Sequence, residues 1–88
     1  MPVIASFYGI TIKMNWGDKG QHNLPHFHAY YAEFEATFNL NGERLAGDFP
    51  PKQEALIKAW TILHEQELKN DWELAVRYKQ IIKISPLV

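Results

Sequence analysis

The 88-residue chain has no cysteine. That excludes disulfides, thiolate metal sites and a cysteine nucleophile. Small secreted domains usually depend on such cross-links, so a reducing cytoplasm is the expected compartment. Long apolar runs are missing as well. No stretch approaches the roughly 20 apolar residues of a membrane helix. The opening residues lack the basic start and apolar run of a signal peptide, and no membrane association is expected. Net charge is nearly absent, formally −1. Binding to bulk duplex nucleic acid leaves a basic footprint, and this chain shows none overall. Lys69, Arg77, Lys79 and Lys83 make the C-terminal part more basic, which reads first as a solvated helix face. There is no glycine-rich phosphate loop, no Gly-x-Ser-x-Gly and no His-Glu-x-x-His.

What is present is enough apolar material for one core: three Trp, five Phe and four Tyr. In so short a chain this predicts a single domain over residues 1–88, because smaller pieces could not bury a core.

From Ile4 to Trp16 the even positions Ile4, Ile10, Ile12, Met14 and Trp16 give a period of two, broken at Ser6 and Tyr8. The pattern predicts one long strand with a buried face and a bulge or bend at Gly9. Residues 17–25 are rich in turn formers and read as a loop. In the next run Phe27, Ala29 and Tyr31 alternate with His26, His28 and Tyr30. Phe34, Ala36, Phe38 and Leu40 then alternate with Glu35, Thr37 and Asn39. After Asn41-Gly42, a strong hairpin signal, Leu45, Gly47 and Phe49 alternate with Arg44, Ala46 and Asp48. Two-residue loops at Ala32-Glu33 and Asn41-Gly42 would set the register. Tyr30 then opposes Glu35, Glu35 opposes Asp48, His28 opposes Thr37, and His26 opposes Asn39.

Pro50-Pro51 ends the sheet, and Pro51 suits a first helical turn. A helix is expected from about Lys52 to Lys69. Its stripe is Leu56, Ala59, Trp60, Leu63 and Glu67, with Ile57, Thr61, His64 and Leu68 beside it. Asn70-Asp71 reads as a break and a new N-cap, followed by a short helix carrying Trp72. Residues 81–84 read as a last short strand. The fold class is therefore α+β: an antiparallel sheet of about four strands, an N-terminal strand plus a three-strand meander, with two C-terminal helices over one face. The expected core is Phe27, Ala29, Phe34, Ala36, Phe38, Leu45, Leu56, Trp60 and Leu63.

His26 and His28 fall two residues apart on one strand face, about 7 Å apart at the backbone. Glu35 lies diagonal to His28 on the expected register. Two imidazoles and a carboxylate are a known ligand set for a divalent metal, with Asp48 or the loop residue His22 as further candidates. The same groups suit acid–base catalysis, since histidine titrates near neutrality. The plainer alternative is a polar, solvated sheet face. His64 with Glu67 is a second His–carboxylate pair, and the default there is a hydrogen-bonded histidine at the core edge.

Several words of the chain carry a family likeness. They are Met1-Pro2 with Ile4, Phe7-Tyr8-Gly9-Ile10, Pro25-His26-Phe27-His28-Ala29, Phe34-Glu35-Ala36, Leu63-His64, Asn70, Trp72-Glu73-Leu74-Ala75, and Lys83-Ile84-Ser85-Pro86-Leu87. On these the chain resembles the bacterial family called domain of unknown function 4160. Where that family usually has a basic residue and then glycine after His-Phe-His-Ala, this chain has Tyr30, Tyr31 and Ala32. The resemblance implies a small bacterial protein encoded beside another small protein, one component of a toxin–antitoxin-like module; such a component is expected to bind a small partner protein through a sheet edge or the second helix. The alternative from the residues is a small metal-dependent or acid–base hydrolase or nuclease using the His-x-His strand. An enzyme needs His26, His28 and Glu35 to converge in a water-excluding concavity, whereas a binding module needs only an open, complementary surface.

Overall fold

A computed structural model describes residues 2–15 and 24–88. The described chain runs through β1 (Val3–Phe7), β2 (Ile10–Lys13), β3 (His26–Tyr31), β4 (Phe34–Asn39), β5 (Arg44–Asp48), α1 (Pro51–Leu63) and α2 (Glu65–Val76). The strands form one sheet in the order β1-β2-β3-β4-β5, every neighbouring pair antiparallel. The fold is α+β, as the alternation patterns predict.

The N-terminal run is a hairpin rather than one long strand. Tyr8 and Gly9 both take positive φ, 49° and 78°, which lets the chain reverse in two residues and pair Phe7 with Ile10. Among the described residues the even-position stripe therefore fails at Ser6 and Tyr8 and holds at Ile4, in β2 and at Met14; Trp16 lies outside the described residues. In β1 a register shift between Val3 and Ala5 buries Ile4, Ala5 and Phe7 together and leaves Ser6 and Tyr8 outside.

The central hairpin follows the expected count. Tyr30 pairs with Glu35, His28 with Thr37 and His26 with Asn39. Ala32 holds φ at 51° to make the tight loop. Beyond it, Glu35 pairs with Asp48 and Thr37 with Ala46, again as counted. The next turn departs from the expectation. Gly42 N–H donates to Asn39 O (3.0 Å) and Asn39 N–H to Glu43 O (2.9 Å), and Phe38 pairs with Arg44. That is a wider loop, further tied by Asn41 and Glu43 N–H groups to Asn39 Oδ1. Leu45 becomes the extra residue of a bulge and is 43 % exposed rather than part of the core. Gly42 (φ +84°) packs against α1, where a Cβ would lie 2.6 Å from Thr61 Oγ1 and 2.9 Å from Lys58 Cα.

The core comprises Ile4, Phe7, Ile10, Ile12, Met14, Phe27, Ala29, Ala36 and Phe38 from the sheet side, and Ile57, Trp60, Leu68 and Ala75 from the helices. Phe34 and Leu56 are partly buried against it. Trp60 is fully buried. Its ring lies 5.4 Å from that of Phe7 and 5.9 Å from that of Phe27, and its Nε1–H donates to Ser85 O at 2.9 Å.

The helices break earlier than expected. The interruption is His64 (φ −122°, ψ 29°), and Asn70-Asp71 lies inside α2. His64 Nδ1 meets Glu67 Oε1 at 2.6 Å, and among the described residues no side chain caps the start of α2. The change of direction turns Leu68, Asp71, Trp72 and Ala75 inward. On α1 the buried side is Ile57, Trp60 and Thr61, the neighbour of the expected stripe. Leu63 is consequently 67 % exposed, not core.

Residues 81–84 form no strand. Ile84 N–H donates to Ile4 O (2.8 Å) beside β1, but Ile82 N–H goes to Asp71 Oδ1 (3.0 Å) and Ser85 O is taken by Trp60. Side chains thus occupy backbone groups that a ladder would need. Among the described residues, no helix is long and apolar enough to cross a membrane.

Candidate functional site

Alternation in β3 sends Phe27 and Ala29 to the core and leaves His26, His28 and Tyr30 on the opposite side. Cross-strand pairing extends this side into two rows. One runs Lys13, His28, Thr37, Ala46; the other runs Thr11, Tyr30, Glu35, Asp48. Residues paired across strands share a face, so the rows are the polar face of the sheet.

The two imidazoles do lie together, with ring centroids 5.3 Å apart and nearly perpendicular. They are not equivalent. His26 is only 8 % exposed. Its Nδ1 lies 2.7 Å from Leu24 O, and since a carbonyl only accepts, Nδ1 carries the proton. The His26 ring also packs on Trp72 of α2, at 5.2 Å. His28 is half-buried, with Nδ1 3.3 Å from Thr37 Oγ1.

Glu35 belongs with Tyr30 rather than with His26. It is exposed and pairs with Tyr30 in the ladder. Burial, and then the nearby Glu35 carboxylate, hold the Tyr30 pKa above its ordinary 10.0. Lys13 Nζ lies over the same ring, 5.1 Å from its centroid. Register places Glu35 opposite Tyr30 and His26 opposite Asn39, four residues along the strand, or about 13 Å. Asp48 pairs with Glu35 in the ladder, yet its carboxylate turns to Arg44 (3.2 Å). Arg44 is shared with Glu54 (3.1 Å).

Because Ala46 ends the first row with only a methyl group, the face sinks into an open groove of about 400 Å³ that Gly47 also lines. Its walls include Asn15, His28, Tyr30, Glu35 and Thr37. His26 and Asp48 do not line it. Among the described residues, no group of three or more His, Asp or Glu is placed to hold a metal ion. His22 lies outside the described residues. The His64–Glu67 pair (2.6 Å) stands alone at the helix break.

The sequence reading missed Tyr30 and the small residue Ala46 as parts of this site. The signal for both was parity, since each follows from the same counting that placed Glu35. It also missed Asp71, 1 % exposed. There Oδ1 accepts Ile82 N–H while Oδ2 has no hydrogen-bond partner. Burial raises the Asp71 pKa from 3.8 to about 6 against the lowering effect of that hydrogen bond, and the charge of Glu67 adds to the rise.

Compared with known proteins, the chain matches one family over residues 9–73, described as "Domain of unknown function (DUF4160)". No curated protein and no solved structure matches it.

Proposed function

We propose, from the premise that the chain belongs to the DUF4160 family, that it is a binding protein whose polar sheet face engages a small partner protein. The observation that carries this reading is the groove over Ala46 and Gly47, open to solvent and walled by a phenol, a carboxylate, a hydroxyl and an imidazole. Such a surface suits recognition, where convergent polar groups set specificity around a small apolar floor. The hydrolase alternative draws no comparable support. Its three residues do not converge: His28 and Glu35 line the groove, while His26 is a buried imidazole packed on Trp72, some four residues along the ladder from Glu35.

In this reading the protein is one component of a bacterial two-protein, toxin–antitoxin-like module, and the cysteine-free composition suits a cytoplasmic setting. The test is to express the chain alone and together with the small protein encoded beside it, scoring growth and co-purification. Co-purification should be lost in Tyr30→Ala and Glu35→Lys, on the polar face, and kept in Ile62→Ser, on an exposed position of α1. Equal retention by all three variants would remove the polar face as the binding surface.

A further inference from the structure

We infer that the notch over Ala46 and Gly47 seats an arginine side chain of the partner protein, its guanidinium paired with Glu35. The inference rests on the binding reading above and names the chemistry of the partner's anchor.

Charge comes first. The other carboxylates around the notch have cations: Asp48 and Glu54 share Arg44 at 3.2 and 3.1 Å. Lys13 is drawn over the Tyr30 ring. Among the described residues no cation pairs with Glu35, whose ladder partner is the neutral Tyr30 phenol. An exposed carboxylate left without a cation of its own favours an incoming positive charge.

Shape comes second. The row Lys13, His28, Thr37 ends at Ala46, where a longer side chain would have filled the groove. Gly47 pairs with the core-side Ala36 and lends only its backbone to the groove. The result is a short apolar floor with a carboxylate and a hydroxyl on its rim, from Glu35 and Thr37. An arginine stem can lie on that floor while its planar fork meets the carboxylate with two parallel N–H bonds. An ammonium offers no such fork.

The test is an amide-resolved NMR titration of the full chain at low salt, with N-acetyl-arginine methylamide as the probe. Its citrulline and lysine counterparts are the comparisons. Saturable shifts are expected at Glu35, Thr37, Ala46 and Gly47 with the arginine probe, and binding about tenfold weaker or worse with citrulline and lysine. Glu35→Gln should weaken the arginine probe about tenfold as well. Ala46→Leu should abolish its binding while leaving the melting midpoint unchanged, because the position is exposed. Equal shifts with citrulline, equal affinity for lysine, or arginine binding that survives Glu35→Gln would each overturn the inference. The probe is a single blocked residue, so the titration reads the notch whether or not a partner protein exists. Failure of co-purification, by contrast, strikes the binding reading alone.

Discussion

His26 and Glu35 sit toward opposite ends of one polar ladder and have different surroundings. At the His26 end, α2 lays Trp72 against the imidazole, and the strand start is tied back through Leu24 O. At the Glu35 end the ladder runs out to Ala46 and an open groove. Parity alone makes these residues equivalent, since both point away from Phe27 and Ala29. What separates them is the helix break at His64, which carries α2 to one end only, and the size of the side chain closing each row. A residue type associated with chemistry thus became part of the packing, and one of the smallest residues in the sheet opened the site.

The largest effect should come from the residue on which the helical layer turns. Trp60 packs on Phe7, Phe27 and His64 and holds Ser85 O. Trp60→Ala is expected to cost about 3–5 kcal/mol in denaturant unfolding. A loss under about 1 kcal/mol would mean that the helices do not press on the sheet here, and the contrast between the two ends would lose its cause.

Next comes Asp71, which lies beside Trp72 at the closed end. Its folded pKa of about 6 stands above the ordinary 3.8, so the folded state holds the proton more tightly than the unfolded chain does. The sign follows: the stability that the neutral acid contributes is fully present below about pH 3.8 and is lost as pH rises through about 6. An asparagine cannot ionise. Asp71→Asn should therefore gain on the wild type across that window by about 3 kcal/mol and then level off. Parallel stability curves for the two proteins between pH 4 and 7 would show that this carboxyl is not held in the low-polarity site described.

Third, the two histidines should separate in the same way as the two ends. His26→Ala removes a buried ring and its hydrogen bond and is expected to cost about 2 kcal/mol. His28→Ala, half-buried at the groove wall, should cost under about 1 kcal/mol. Equal losses in thermal or denaturant melts would erase the distinction between a packed and an open imidazole.

These differences also mark how far the sequence could be read. The register of β3, β4 and most of β5 was legible, because a one-residue slip would drive Glu35 and Thr37 into the core and Phe38 and Ala36 out of it. The bulge at Leu45 was not, since Arg44, Leu45 and Ala46 alternate as well as any strand. Tyr8-Gly9 was passed over as a turn because the apolar residues on its two sides read as one stripe. The break at His64 was hidden by a better N-cap pair, Asn70-Asp71, which tertiary packing placed inside α2. The His-x-His pair could be located on a face by counting. The burial of His26 depended on Trp72 arriving from α2, and no local pattern contains that. The notch was visible only as an absence, one small residue where the row ends.

The smallest effect concerns the loop that fixes the register on which both ends depend. Ala32 holds φ at 51° between Tyr31 and Glu33, a conformation that costs an L-residue with a Cβ about 1–2 kcal/mol and costs glycine little. Glycine gives some of this back, because it leaves the unfolded chain more freedom, about 0.4–1 kcal/mol. The balance predicts that Ala32→Gly stabilises the protein by roughly 0.5 kcal/mol. The gain should appear as a small rise in denaturant midpoint with an unchanged slope, since the surface exposed on unfolding stays the same. The substitution touches neither Trp72 nor Ala46, so the unequal costs of losing His26 and His28 should persist in its background. A loss of stability instead would mean that the Tyr31–Phe34 pairing does not rest on a left-handed residue at this turn. The register that brings Glu35 beside Tyr30 would then need another support.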